Sequence, residues 1–164
     1  FLYVSKKFQK QIHPNIITVK YDSGFVDEFD YTGTRDYASI FAVKDAFEFR
    51  EKLKETEIMK YNHNLAVLAG KEVAKFWGTE TLILNEERIG AMVNVRVPCD
   101  SQSVIEDTVK KMLLENKTFL SVQKFKHGKF YARLSAQIFN EIGDFLKVAE
   151  EFINIINEMH SEKK

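Results

Sequence analysis

The hydrophobic pattern changes period along the chain. Phe1-Leu2-Tyr3-Val4 is an unbroken apolar run and Ile16-Ile17-Thr18-Val19 a β-branched one, so both predict strands. Between them residues 5–11 are polar and lysine-rich, and Pro14 keeps any short helix there from passing Ile12. Asp22-Ser23-Gly24 marks a turn. Residues 25–31 alternate aromatic and acidic side chains without a helical period and predict an extended loop. From Thr34 the spacing turns helical: Tyr37, Ile40, Phe41 and Phe47 predict an amphipathic helix to about Lys54, with Thr34 in the N-cap place and Asp36 close behind. A second helix follows, carried by Ile58, Tyr61, Leu65, Leu68, Ala69 and Phe76, and Gly78 is a suitable C′ residue to stop it.

Beyond Gly78 the pattern is that of a small α+β lobe with helices on one face of a sheet. Thr81-Leu82-Ile83-Leu84 predicts a short strand, and the alternation of residues 91–97 before Pro98 predicts a half-buried one. Asp100 or Ser101 then caps a helix whose inner face is Val104, Ile105, Val109, Met112 and Leu113. Residues 118–125 and 129–135 predict two strands joined through His127-Gly128. A helix from about Asn140 to Met159 closes the chain, with Ile142, Phe145, Leu146, Ala149, Phe152, Ile153 and Ile156 inward. A buried strand needs neighbours on both sides, so one beginning at residue 1 is expected to belong to the C-terminal part of a longer chain; the alternative is a trimmed chain or an edge strand at a true terminus.

Composition narrows the function classes. The 24 Lys+Arg against 24 Asp+Glu leave no basic excess for a nucleic-acid partner. One cysteine, Cys99, excludes a disulfide framework and a Cys-based metal knuckle. No apolar run approaches the roughly 18–20 residues of a membrane span, and no signal sequence opens the chain. The expectation is a cytoplasmic mixed α/β protein with no membrane partner.

Few residues present themselves for chemistry. None of His13, His63, His127 and His160 stands in a metal-ligand motif, so no metal is expected, and His63 and His127 read as surface residues. No glycine-rich nucleotide fingerprint occurs. Two places rise above this background. At Thr32-Gly33-Thr34-Arg35-Asp36 a glycine precedes a helix start, where backbone N–H groups and a threonine hydroxyl suit an anion; the alternative is that Thr34 only caps its own helix. In residues 130–135, strand alternation sets Tyr131, Arg133 and Ser135 on one face and Phe130, Ala132 and Leu134 on the other. Arg133 is then either a snorkelling surface residue or a planar clamp for a carboxylate.

At these residues the chain resembles the C-terminal part of the class V aminotransferases, fold type I pyridoxal-phosphate (PLP) enzymes, and within them the isopenicillin N epimerase and cysteine desulfhydrase-like branch. The matching stretches are FLYV at the start, His13-Pro14, TGTRDYASIFAVKDAFEF at 32–49, the Tyr61-Asn62 helix, FWGT at 76–79, MVNVRVP at 92–98 and ARLSAQIFNEIGDF at 132–145. The resemblance implies that Gly33 and Thr34 bind the cofactor phosphate, Thr34 across a homodimer interface, and that Arg133 binds the α-carboxylate of an amino-acid substrate. Phe139 stands where the family often has tyrosine. In the family the lysine that carries PLP lies upstream of the FLYV-like strand, so no catalytic residue is expected in this chain.

The implied fold class is α/β plus α+β, the C-terminal portion of a PLP-dependent transferase fold. Residues 1–50 would end the large PLP-binding domain, 51–78 form a connecting helix and 79–164 the small α+β domain. The reaction implied is epimerisation, C–S lysis or amino transfer at Cα or Cβ of an amino acid. The rival expectation is a stand-alone α+β module that binds a small molecule or a partner without catalysis.

Overall fold

The computed structural model describes residues 2–125 and 127–161, and the chain divides into two compact units, Phe1–Phe49 and Arg50–Lys164.

In the first unit a 3-10 turn, Lys6–Gln11, ends at Ile12 as Pro14 requires. Neither predicted strand forms. Phe1 lies outside the described residues, Leu2 and Tyr3 are exposed, and Ile16, Ile17 and Val19 lie in an irregular stretch that ends in a turn, all three open to solvent. β-branched side chains favour a strand only where a neighbouring strand takes their hydrogen bonds and covers one face. Residues expected as an extended loop instead form helix α1, Phe25–Asp30. Gly24, at φ 111, turns the chain into it, and Phe25 and Phe29 stack one turn apart with centroids 4.8 Å from each other. Helix α2 is Ala38–Lys52, starting four residues after Thr34. Its first carbonyl partner is Tyr37, and the Asp36 carboxylate accepts from the Ala38 N–H at 2.8 Å. Thr34 is therefore not the cap. No residue of α2 is buried.

The second unit holds a three-stranded antiparallel sheet in the order β1-β3-β2, built from β1 (Met92–Arg96), β2 (Ser121–Lys124) and β3 (Phe130–Ser135). Helices α3 (Glu55–Trp77), α4 (Gln102–Leu114) and α5 (Ile142–Ser161) share its core: α3 packs on β1 and β3, α4 on β2, and α5 against both helices. Val93 and Val95 of β1 and Ala132 and Leu134 of β3 turn into this core. Residues 81–84 form no strand; Thr81 makes one bridge to Val95, and Leu82 and Arg96 exchange backbone bonds with Asn94 and Glu80, so this segment runs along the outer edge of β1.

Helix α3, read from the sequence as a connector, is part of the packing. It ends as predicted, with Gly78 left-handed at φ 64 and its N–H on the last carbonyls. The buried face differs from the predicted stripe: Tyr61, Leu68 and Phe76 are exposed, whereas Ala66, Gly70, Val73, Ala74 and Trp77 are buried with Ile58, Leu65 and Ala69. Small residues let the helix axis come close to the sheet, which turns the larger side chains to the flanks. Trp77 Nε1 donates to the Ala149 carbonyl at 3.1 Å and its ring lies 5.4 Å from Phe152, which locks α3 to α5. On α4 Leu113 is exposed, and on α5 Leu146 is exposed whereas Ile155 is buried. No helix among the described residues is long and apolar enough to cross a membrane.

Candidate functional site

Gly33 and Thr34 lie in the first unit, in the irregular link between α1 and α2. Gly33 has φ 100, a conformation that disfavours side chains, and the space where its Cβ would stand is open. Thr34 is exposed, and its hydroxyl has no hydrogen-bond partner among the described residues. The link thus offers an accessible backbone beside an uncommitted hydroxyl.

Arg133 lies in the second unit on the sheet face turned away from the helices. Its neighbours across the sheet are Asn94 on β1 and Ser121 on β2. The side chain is exposed and has no acidic partner among the described residues. The predicted alternation holds: Phe130, Ala132 and Leu134 are buried, Arg133 and Ser135 exposed. Tyr131 is the exception, sealed by the edge of the Phe125 ring at 5.1 Å. A guanidinium without a counterion on a rigid central strand is suited to take a planar anion through two parallel bonds. Arg133 also lines an apolar notch of about 280 Å³ with Phe119, Leu134, Phe145 and Val148. The second arginine of this face, Arg96, is committed, 3.9 Å from Glu80 and 3.6 Å from Asp100.

Other candidates resolve plainly. His63 is not a free surface residue; its Nδ1 meets the Ile89 carbonyl at 2.7 Å and ties α3 to the loop before β1. His127 is exposed beside Tyr131. Cys99 is a free, half-buried thiol, and Phe139 is exposed. Among the described residues no group of three or more His, Cys, Asp or Glu is placed to hold a metal ion.

Sequence reasoning missed a pair in the first unit. The buried Glu28 carboxylate meets His13 Nδ1 at 2.8 Å and accepts from the Asp22 N–H at 3.2 Å, while the His13 ring packs 5.6 Å from Tyr21. The bond from Glu28 raises the His13 pKa above its ordinary value. Two residues fifteen positions apart, one of them outside any element, leave no periodic signal.

No protein-family model matches the chain. It is 35% identical over 127 residues to hercynylcysteine sulfoxide lyase of Schizosaccharomyces pombe, covering 77% of this chain and 30% of that protein. It is 25% identical over 175 residues to putative L-cysteine desulfhydrase 1 of rice, covering 94% and 36%. It is also 25% identical over 174 residues to a probable chloroplastic L-cysteine desulfhydrase of Arabidopsis thaliana, covering 96% and 36%. The chain spans about a third of the length of the curated relatives it matches. Over most of its own length it is therefore similar to one part of proteins named for lyase and desulfhydrase activities on cysteine and a cysteine-derived sulfoxide.

Proposed function

We propose that the chain is the C-terminal part of a PLP-dependent enzyme that breaks the C–S bond of cysteine or an S-substituted cysteine. The observation that carries this reading is the identity to a hercynylcysteine sulfoxide lyase and to cysteine desulfhydrases over 77–96% of the chain. Of the reactions implied by the class V resemblance, those names favour C–S lysis over epimerisation or amino transfer.

The residues present fit the cofactor. Gly33, open where a Cβ would stand, and the uncommitted Thr34 hydroxyl suit a phosphate. When bound, PLP supplies the electron sink that makes bonds at Cα labile. Arg133 complements this by holding the substrate α-carboxylate through a two-bond fork, which fixes which bonds at Cα and Cβ are presented for cleavage. The enzyme acts as a cytoplasmic homodimer, with Thr34 serving the partner's cofactor.

The test is Arg133→Lys in the enzyme that contains this chain, assayed for sulfide release from cysteine. The charge is kept and the fork is lost, so kcat/KM falls about ten- to a hundredfold while PLP absorbance is retained. Thr34→Ala has the opposite signature, weaker PLP retention. Unchanged kcat/KM in the arginine variant removes Arg133 from the site. Racemised or transaminated product in place of sulfide overturns the reaction type.

A further inference from the structure

The pairing register sets Arg133 in a row that crosses the open face of the sheet, with Asn94 of β1 opposite it on one side and Ser121 of β2 on the other. The two sides differ. The Ala136 N–H donates to the Ala91 carbonyl at 2.8 Å and the Val97 N–H to the Phe130 carbonyl at 2.9 Å. Antiparallel alternation then makes Val93–Leu134 and Val95–Ala132 the hydrogen-bonded pairs between them. Asn94–Arg133 falls between bonded pairs, the geometry in which Cα atoms approach to about 4.5 Å and side chains run closest. Across the other ladder the Phe125 N–H donates to the Lys129 carbonyl at 2.9 Å, which makes Ser121–Arg133 a bonded pair, wider by about 1 Å. The serine hydroxyl also sits only one bond beyond Cβ. Asn94 is therefore the neighbour whose donors reach a group held at the guanidinium.

Asn94 is costly where it stands. Asparagine is depleted in strands, and this one is half-buried with no hydrogen-bond partner for its amide among the described residues. The rows to either side bring Met92 and Ser135 on one flank and Arg96, Tyr131 and Gln123 on the other. None of these is acidic, so no side chain of the three strands competes with an incoming anion. We infer that Asn94 is a second binding residue for the substrate α-carboxylate. Arg133 takes two parallel bonds, and the Asn94 amide N–H donates to a lone pair that the fork leaves open. This rests on the reading of Arg133 as the carboxylate anchor.

The test uses the enzyme that contains this chain and two probes followed by titration calorimetry. L-Alanine keeps the carboxylate and has no C–S bond to break; L-alaninol lacks the carboxylate. Asn94→Leu removes the donor at similar size on a face turned away from the core. It should weaken L-alanine about tenfold and leave L-alaninol unchanged. Asn94→Asp is isosteric and sets a carboxylate against Arg133, so it should weaken L-alanine by about a hundredfold, again sparing L-alaninol. If Arg133→Lys weakens L-alanine while both Asn94 variants bind it as the unaltered enzyme does, Asn94 is excluded and the anchor stands. Equal weakening of both probes by the Asn94 variants means that the side chain shapes the sheet and binds no carboxylate, which overturns the inference. L-Alanine binding that is indifferent to Arg133→Lys, or an unaltered enzyme that does not distinguish the two probes, overturns the anchor and the inference with it.

Discussion

Gly70 of α3 lies close against Val93 of β1, and replacing it with alanine sets two effects of known sign against each other. An alanine in a helix interior is worth about 1 kcal/mol over glycine, because less backbone entropy is lost on folding. Its Cβ, however, would stand 2.8 Å from Val93 Cγ2, 3.1 Å from Val93 Cγ1 and 3.3 Å from Thr81 Cγ2. Val93 is 2% exposed and β-branched, so its methyls have no vacant rotamer to move into. Overpacking of this kind costs about 1–3 kcal/mol, so Gly70→Ala should destabilise by about 1 kcal/mol net. Removing both valine methyls reverses the sign: in a Val93→Ala background the same substitution should stabilise by up to about 1 kcal/mol. The coupling between the two sites is then about 1–2 kcal/mol. Trp77 is the one tryptophan of the chain, lies on the same helix and is buried, so its fluorescence during urea titration reports the unfolding of this unit. If Gly70→Ala raises the midpoint equally in both backgrounds, the close approach of α3 to β1 is wrong.

Phe152 is fully buried and packs on Trp77, so Phe152→Ala should cost about 3–5 kcal/mol by the same fluorescence assay; a loss under about 1 kcal/mol would mean that α5 is not seated there. His13 has a pKa raised by the bond from Glu28, with the charges of Glu28 and Asp22 acting in the same direction. The stabilisation from this pair is therefore fully present below the ordinary histidine value of about 6.5 and is lost as pH rises through the higher folded value. A proton-NMR titration should place His13 above 6.5, and His13→Gln should flatten the pH dependence of amide protection in residues 13–30; a His13 pKa at or below 6.5 refutes the pairing.

The sequence by itself determined the elements whose signals are local. The end of α3 followed from Gly78, the reach of the first turn from Pro14, and β1, β3, α4 and α5 from period and length within a few residues. The alternation that separates Arg133 from Leu134 was also legible, because a strand has no other way to place successive side chains. Tertiary structure decided whatever depended on a partner. Residues 16–19 had the composition of a strand and found no neighbour to pair with, whereas residues 25–30 lacked helical period and became α1, with Glu28 buried against His13 and the Asp22 N–H. The inner face of α3 was set by how closely small residues let it approach β1, which a stripe of large side chains does not reveal. The row that sets Asn94 and Ser121 beside Arg133 came from how three strands pair, and not from any motif around the arginine. Periodicity records which way a side chain faces relative to its own element; what stands opposite it is set by contacts between residues far apart in the chain.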